Sequence, residues 1–209
     1  EANKIPMSPN FNHLDILTDD ATKALWINQG LPDDPFSKEN GAILENSERW
    51  ALMIDPQIQG NKWIRKKEES HALQVLRLTN LGDPREGKKI MQKLEAAIET
   101  GTSIMIENME EEISAVVMPI IGKRYVVKGK NKILPLGDKQ LNYNDDFRMF
   151  LQTKLSNPHF PPEIQAETTL INFAVTEEGL EDQLLAHVVR KERPDLANTR
   201  EELVTQQNE

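Results

Sequence analysis

Short, unbroken apolar runs recur along the chain, each closed by turn-forming residues, with one-sided apolar spacing between several of them. Trp50-Ala51-Leu52-Met53-Ile54, ended by Asp55-Pro56, has the pattern of a strand buried on both faces. Further strands are predicted at Leu73 to Leu78, Ser103 to Glu107, Phe147 to Thr153 and Leu170 to Val175. Pro84 to Thr100 fits an amphipathic helix, with Pro in its first turn, Ile90, Leu94, Ala97 and Ile98 on one face, and Gly101 beyond its end. Strands alternating with helices predict an α/β fold built on a parallel sheet with helices on both faces.

The flanks read as helical. Thr18-Asp19-Asp20 opens a helix that runs to Gln29 and stops at Gly30, since acids favour the positive helix start and Gly the stop. After the turn-rich Leu31 to Pro35, Ser37 is the expected N-cap of a second helix that turns Ile43 and Leu44 inward and ends near Asn46. At the other end, Leu180, Leu184, Leu185, Val188 and Val189 share one helix face. Pro194 to Glu209 is mostly polar, and a helix of that composition needs a partner to offset nucleation and chain entropy. The expected organisation is a helical lead-in at 1–47, an α/β core at 48–178 and further helices at 179–209.

Residues 122–146 interrupt the alternation. Tyr125 to Val127, a turn at Gly129-Lys130-Asn131, Ile133 to Leu136 and a second turn at Gly137-Asp138 predict a β-hairpin insert. It carries Lys123, Arg124, Lys128, Lys130 and Lys132 with no acid among them. Two readings stand: a docking patch for an acidic partner surface, or lysines that block edge-to-edge strand pairing.

Composition narrows the class. The 209 residues carry 25 Lys and Arg against 34 Asp and Glu, a net charge of −9, which argues against sequence-independent nucleic-acid binding. The longest apolar run, Ala115 to Ile121, is far below the roughly 20 residues of a membrane helix, and no secretory signal pattern is present. The absence of Cys excludes disulfides, thiolate metal sites and a catalytic thiol, and suits a reducing compartment. His13, His71, His159 and His187 lack ligand spacing, so no metal site is expected. Glu110-Glu111-Glu112 and Glu177-Glu178 read as acids that complement helix starts, and Trp26, Trp50 and Trp63 as core anchors.

The chemistry to test lies just after the first buried strand. A phosphate-binding loop there would end in Gly-Lys-Ser or Gly-Lys-Thr, with backbone N–H groups around the phosphate, a Lys for charge and a hydroxyl for magnesium. With Gly60 in register, Asp55 stands for the first Gly, Asn61 for the Lys and Lys62 for the hydroxyl residue. A shift by one restores Lys62 as the Lys but puts Asn61 at the second Gly and Trp63 at the hydroxyl. The strand at 103–107 should end in two acids, one for magnesium and one to activate water; it ends in Glu107-Asn108, and Asn cannot act as a general base. Two independent defects in one pocket point to a retired nucleotide site.

These residues resemble the motor ring of dynein heavy chains, and most of all its fifth AAA+ module. The resemblance rests on Glu48-Arg49-Trp50-Ala51-Leu52-Met53-Ile54-Asp55-Pro56-Gln57, Thr153-Lys154-Leu155-Ser156-Asn157-Pro158-His159, Leu170-Ile171-Asn172-Phe173, Gly179-Leu180-Glu181-Asp182-Gln183-Leu184-Leu185 and Glu192-Arg193-Pro194-Asp195-Leu196. The second block resembles axonemal chains of cilia and flagella rather than cytoplasmic ones. It implies a P-loop-type AAA+ large subdomain that follows the returning stalk helix, with Pro194 to Glu209 as the root of the strut that braces the stalk. It implies no nucleotide turnover or cofactor in this module. The implied partners are the neighbouring modules of the same chain, the linker and the stalk and strut, with microtubules met only through the parent motor, and no nucleic acid or membrane. In this family a module often lends an arginine to its neighbour's ATP; Leu155 to Ala186 holds no Lys or Arg, and Glu167 stands where that finger is expected. The competing function is a regulatory module that binds ADP or ATP through Lys62 without hydrolysis.

Overall fold

The computed structural model describes residues 14–78, 81–129, 131–193 and 195, and the chain divides into two compact units, residues 1–46 with 176–209 and residues 47–175. In chain order the first unit holds α1 (Leu14–Leu17), α2 (Asp20–Asn28) and α3 (Pro35–Asn46). The second holds β1 (Trp50–Ile54), α4 (Gln59–Lys67), β2 (Gln74–Arg77), α5 (Pro84–Thr100), β3 (Ile104–Glu107) and α6 (Met118–Ile121). It continues with β4 (Val126–Lys128), β5 (Asn131–Leu136), β6 (Lys139–Tyr143), β7 (Met149–Thr153), α7 (Pro162–Glu167) and β8 (Thr168–Asn172); α8 (Glu177–Glu192) belongs to the first unit.

The predicted α/β architecture is present. Five parallel strands form one sheet in the order β2-β3-β7-β1-β8. Its central strands are buried along their length, apart from the half-buried Ile54 at the end of β1, which is why they read as continuous apolar runs instead of alternating ones. β8 covers 168–172 in place of the expected 170–175, because the β-branched Thr168 and Thr169 already pair with Trp50 and Ala51. α5 matches expectation: the Asp83 side chain caps Arg85 N and Glu86 N, Ile90, Leu94, Ala97 and Ile98 are buried, and Gly101 closes the helix at φ +80°.

The insert departs from the expected hairpin. It is a three-stranded antiparallel sheet, β4-β5-β6, because the turn at Gly137 leads into a third strand at Lys139–Tyr143. That strand is hard to read in sequence, since only Leu141 in it is buried. An aromatic ladder ties the insert to the core: Tyr125 lies 5.1 Å from Tyr143, Tyr143 6.0 Å from Phe147, and Phe147 5.7 Å from Trp50. Burial, with the nearby Tyr125 and Asp145, pushes the Tyr143 hydroxyl up to about 12.

In the first unit, Asp19 caps α2 by accepting from Thr22 N at 2.7 Å, and Gly30 at φ +96° follows its end, as expected. Ser37 does not cap α3. The helix starts earlier, at Pro35, and Asp34 is the capping side chain, accepting from Ser37 N at 2.8 Å and Ser37 Oγ at 2.7 Å. Leu44 is buried but Ile43 is exposed, because Gly41, Ala42 and Leu44 form the inner face. Gly41 is required by contact, since a Cβ there would lie 2.9 Å from the Trp26 ring. Trp26, Trp50 and Trp63 are all core residues. α8 presents Leu180, Leu184, Leu185 and Val188 as an exposed stripe. The expectation for Pro194 to Glu209 falls, apart from Asp195, outside the described residues.

Candidate functional site

The loop that follows β1 closes on itself. Asp55, fully buried, donates its backbone N–H to Thr153 O at 2.9 Å, and the chain turns through Pro56-Gln57 to Ile58, which is left-handed at φ 62°. The chain thereby returns so that the start of α4 points at the Asp55 side chain. Gln59 N donates to Asp55 Oδ1 and Asn61 N to Asp55 Oδ2, each at 2.8 Å. A helix start with converging N–H groups is where a phosphate would sit in a working loop. Here a carboxylate of the same chain holds that position. Burial pushes the Asp55 carboxyl up from its ordinary value, while backbone N–H groups from Asn61, Gln59, Gly60 and Ile58 pull against that shift.

Gly60 lies inside α4, and its role is packing: a Cβ at this position would meet the Phe173 ring at 3.0 Å and Met53 Sδ at 3.2 Å. Trp63, two helix positions further on from Asn61, is fully buried with its ring 6.3 Å from that of Phe173. Lys62 points to the exposed side of α4, whereas Asn61 is buried.

Asn61 joins the loop to the end of β3. Its Nδ2 donates to Glu107 Oε1 at 2.7 Å, and its Oδ1 accepts from Arg65 Nε at 2.8 Å. Arg65 also donates directly to Glu107 Oε1, and Arg77 Nη2 lies 3.5 Å from Glu107 Oε2. Burial pushes the Glu107 carboxyl up, but the Asn61 hydrogen bond and the Arg65 and Arg77 guanidiniums outweigh it and hold the group below its ordinary value. The carboxylate expected to serve magnesium is thus neutralised by two arginines.

Gln152, on β7 between the two halves, donates from Nε2 to Asp55 O at 3.1 Å and accepts Asn108 N on Oε1 at 3.1 Å. Asn108 is left-handed at φ 54°, and its Oδ1 is buried without a donor among the described residues. The structure therefore brings Asp55, Gly60, Asn61, Glu107 and Asn108 to the carboxyl ends of β1 and β3, and leaves Lys62 at the surface. Arg65, Arg77 and Gln152 were missed in the sequence. Gln152 carried a signal, as an amide side chain directly after the apolar Met149-Phe150-Leu151 in a buried strand.

Among these residues Mg-nucleotide finds no fit. The N–H groups already hold a carboxylate, the residue in the Lys register donates to Glu107, and no hydroxyl stands at the magnesium position. Among the described residues, no group of three or more His, Asp or Glu is placed to hold a metal ion.

The basic residues of the insert are not one free patch. Lys123 donates to Glu48 O at 2.6 Å and lies 4.0 Å above the Trp50 ring; burial lowers its ammonium below the ordinary Lys value. Lys132 pairs with Asp145 and lies 5.1 Å from the Tyr125 ring. Arg124 Nη2 pairs with Glu167 Oε1 at 2.5 Å, so the residue at the expected finger position is engaged within its own chain. Lys128 is exposed on β4, and Lys130 lies outside the described residues. Glu110 to Glu112 do not open a helix; they lie in the loop after β3, where Glu111 accepts His159 N at 2.7 Å. Glu177 does stand in the first turn of α8.

Residues 24–209 match the family described as the ATP-binding dynein motor region. The chain belongs to the dynein heavy chain family. It is 56% identical over 196 residues to the dynein alpha chain of the flagellar outer arm of Chlamydomonas reinhardtii, covering 94% of this chain. It is 52% identical over 206 residues to the flagellar outer arm beta chain of the same alga, covering 99%. With human dynein axonemal heavy chain 9 the identity is 49% over 204 residues, 98% of this chain. The chain spans about 4% of the length of each of these dyneins. The α/β sheet is the fold this dynein region was expected to have.

Proposed function

We propose that this chain is the fifth AAA+ module of the motor ring of an axonemal dynein, and that it relays conformational change without binding or hydrolysing nucleotide. Its partners are the neighbouring modules of the same heavy chain, the linker, and the stalk and strut; microtubules are reached only through the parent motor. Its place is the axoneme of a cilium or flagellum, a reading supported by relatives named for flagellar outer arms, for cilia and for axonemes. Within the module, residues 48–178 act as a degenerate AAA+ core, 1–47 lead in from the stalk side and 179–209 lead towards the strut.

The observation that carries this reading is the Asp55 carboxylate seated on Gln59 N and Asn61 N. An incoming phosphate would have to displace a bonded anion and then remain beside it, at a range where charge-assisted contacts are strong. Turnover fails for a second reason, because Asn108 cannot take a proton from water. A body whose pocket is closed by its own side chains follows its neighbours mechanically instead of responding to nucleotide.

The test belongs in the whole heavy chain. Lys62→Ala removes the one Lys that a regulatory nucleotide would need, and ATP turnover and microtubule gliding should stay unchanged. Loss of either would overturn the reading and favour a regulatory nucleotide site.

A further inference from the structure

A concavity of about 380 Å³ lies beside the carboxyl ends of β2 and β3. Its apolar wall is formed by Leu81, Met109, Ile113 and Val116. Glu110 and Glu112 stand on the same crevice, and neither meets a cation among the described residues. Glu111 between them accepts His159 N instead and is not among the residues that line the crevice. Asn108 also lines the crevice, with a buried Oδ1 that has no donor among the described residues.

These features point to one kind of guest. Apolar walls of this extent favour a side chain with a hydrocarbon stem, and the two carboxylates favour a cationic head that can remain near water. The Asn108 Oδ1, buried with no donor among the described residues, is an acceptor left open to a guest's N–H. We propose that this crevice docks a protein segment presenting an Arg or Lys side chain between apolar neighbours. The stem lies against Met109 and Val116, the charged head meets Glu110 and Glu112, and rotation of the Asn108 amide offers Oδ1 to a donor of the guest. The crevice shares Asn108 with the end of β3 but none of the Asp55 contacts, so a peptide titration and a nucleotide titration fail separately.

The probe is the peptide acetyl-Leu-Arg-Leu-Leu-amide, titrated into the 209-residue chain while the methyl resonances of Met109, Ile113 and Val116 are followed. Saturable shifts confined to these methyls are expected, weakened by roughly 0.5 M salt. Glu110→Gln with Glu112→Gln should weaken binding about fivefold, as for two partly exposed charge contacts, whereas Glu111→Gln should not. Glu110→Lys with Glu112→Lys should reverse the preference towards acetyl-Leu-Glu-Leu-Leu-amide, which should not bind the parent chain. Absence of saturable shifts, equal binding by the double Gln variant, or equal binding of the Glu peptide to the parent chain would overturn the proposal. Binding of arginine amide alone as tightly as the peptide would replace the protein segment with a small cation and overturn it as well.

Discussion

The side-chain amide of Asn61 donates to Glu107 Oε1 at 2.7 Å. This bond joins the two halves of what would be a nucleotide pocket, the start of α4 and the end of β3. In a working site both positions would serve Mg-nucleotide, and here they serve each other. The same helix start holds Asp55, so the pocket is closed by contacts that also stabilise the fold.

Asp55→Ala should therefore act as a structural lesion. It leaves the Gln59 and Asn61 N–H groups without an acceptor at a site the protein shields from water. A lost cap and unsatisfied buried donors cost about 2 kcal/mol together. Denaturant unfolding should show a lower midpoint with an unchanged slope.

Gly60→Ala tests whether Gly60 is kept for packing. The added methyl would press on the Phe173 ring at 3.0 Å and Met53 Sδ at 3.2 Å, both on buried side chains. Overpacking of about 1 to 3 kcal/mol outweighs the roughly 1 kcal/mol gained in helix propensity, so the net effect should be destabilising. Phe173→Leu should relieve part of it, which a double-mutant cycle on unfolding free energies would reveal as coupling.

The pH dependence follows from the signs of the shifts. Glu107 and Glu68 lie below their ordinary value of 4.5 in the fold; burial opposes this in both, and Asn61 with Arg65 outweighs it at Glu107, Ser103 with Lys67 and Arg148 at Glu68. The unfolded chain then binds more protons at these sites, so their stabilisation is present above 4.5 and is lost as pH falls through the lower folded values. Asp55 is raised from 3.8, so its contribution is present below that value and is lost as pH rises through the folded one. Glu107→Gln should flatten the acid limb of a Tm-against-pH curve; an unchanged limb would contradict a stabilising role for ionised Glu107.

The insert lysines should separate by role. Lys132→Glu breaks the pair with Asp145 and the contact with Tyr125, so it should lower Tm of the chain. Lys128→Glu changes an exposed residue and should leave Tm unchanged, while weakening docking of linker or adjacent module in a salt-sensitive way within the whole motor. Identical effects of the two substitutions in both measurements would remove this division.

The buried strands were legible because a parallel sheet covered on both faces needs continuous apolar runs, as in Trp50 to Ile54 and Ile104 to Ile106. β6 was not, since its exposed polar residues resemble loop text. α4 was hidden in the polar run Gln59 to Lys67, where Trp63 and Ile64 supply the inward face. At the site, the sequence disclosed which chemical groups were missing from the phosphate loop. It did not disclose what replaced them, because Arg65, Arg77 and Gln152 reach Glu107, Asp55 and Asn108 only through tertiary contact. Glu167 stood out by its charge at the finger position, yet its partner Arg124 lies 43 residues away in sequence.

Calorimetric titration of the 209-residue chain with Mg-ATP and Mg-ADP tests the closed pocket most directly. With Asp55 seated on the α4 N–H groups, no saturable heat is expected up to about 1 mM nucleotide, which corresponds to roughly −4 kcal/mol. Saturable binding tighter than about 100 µM would contradict it.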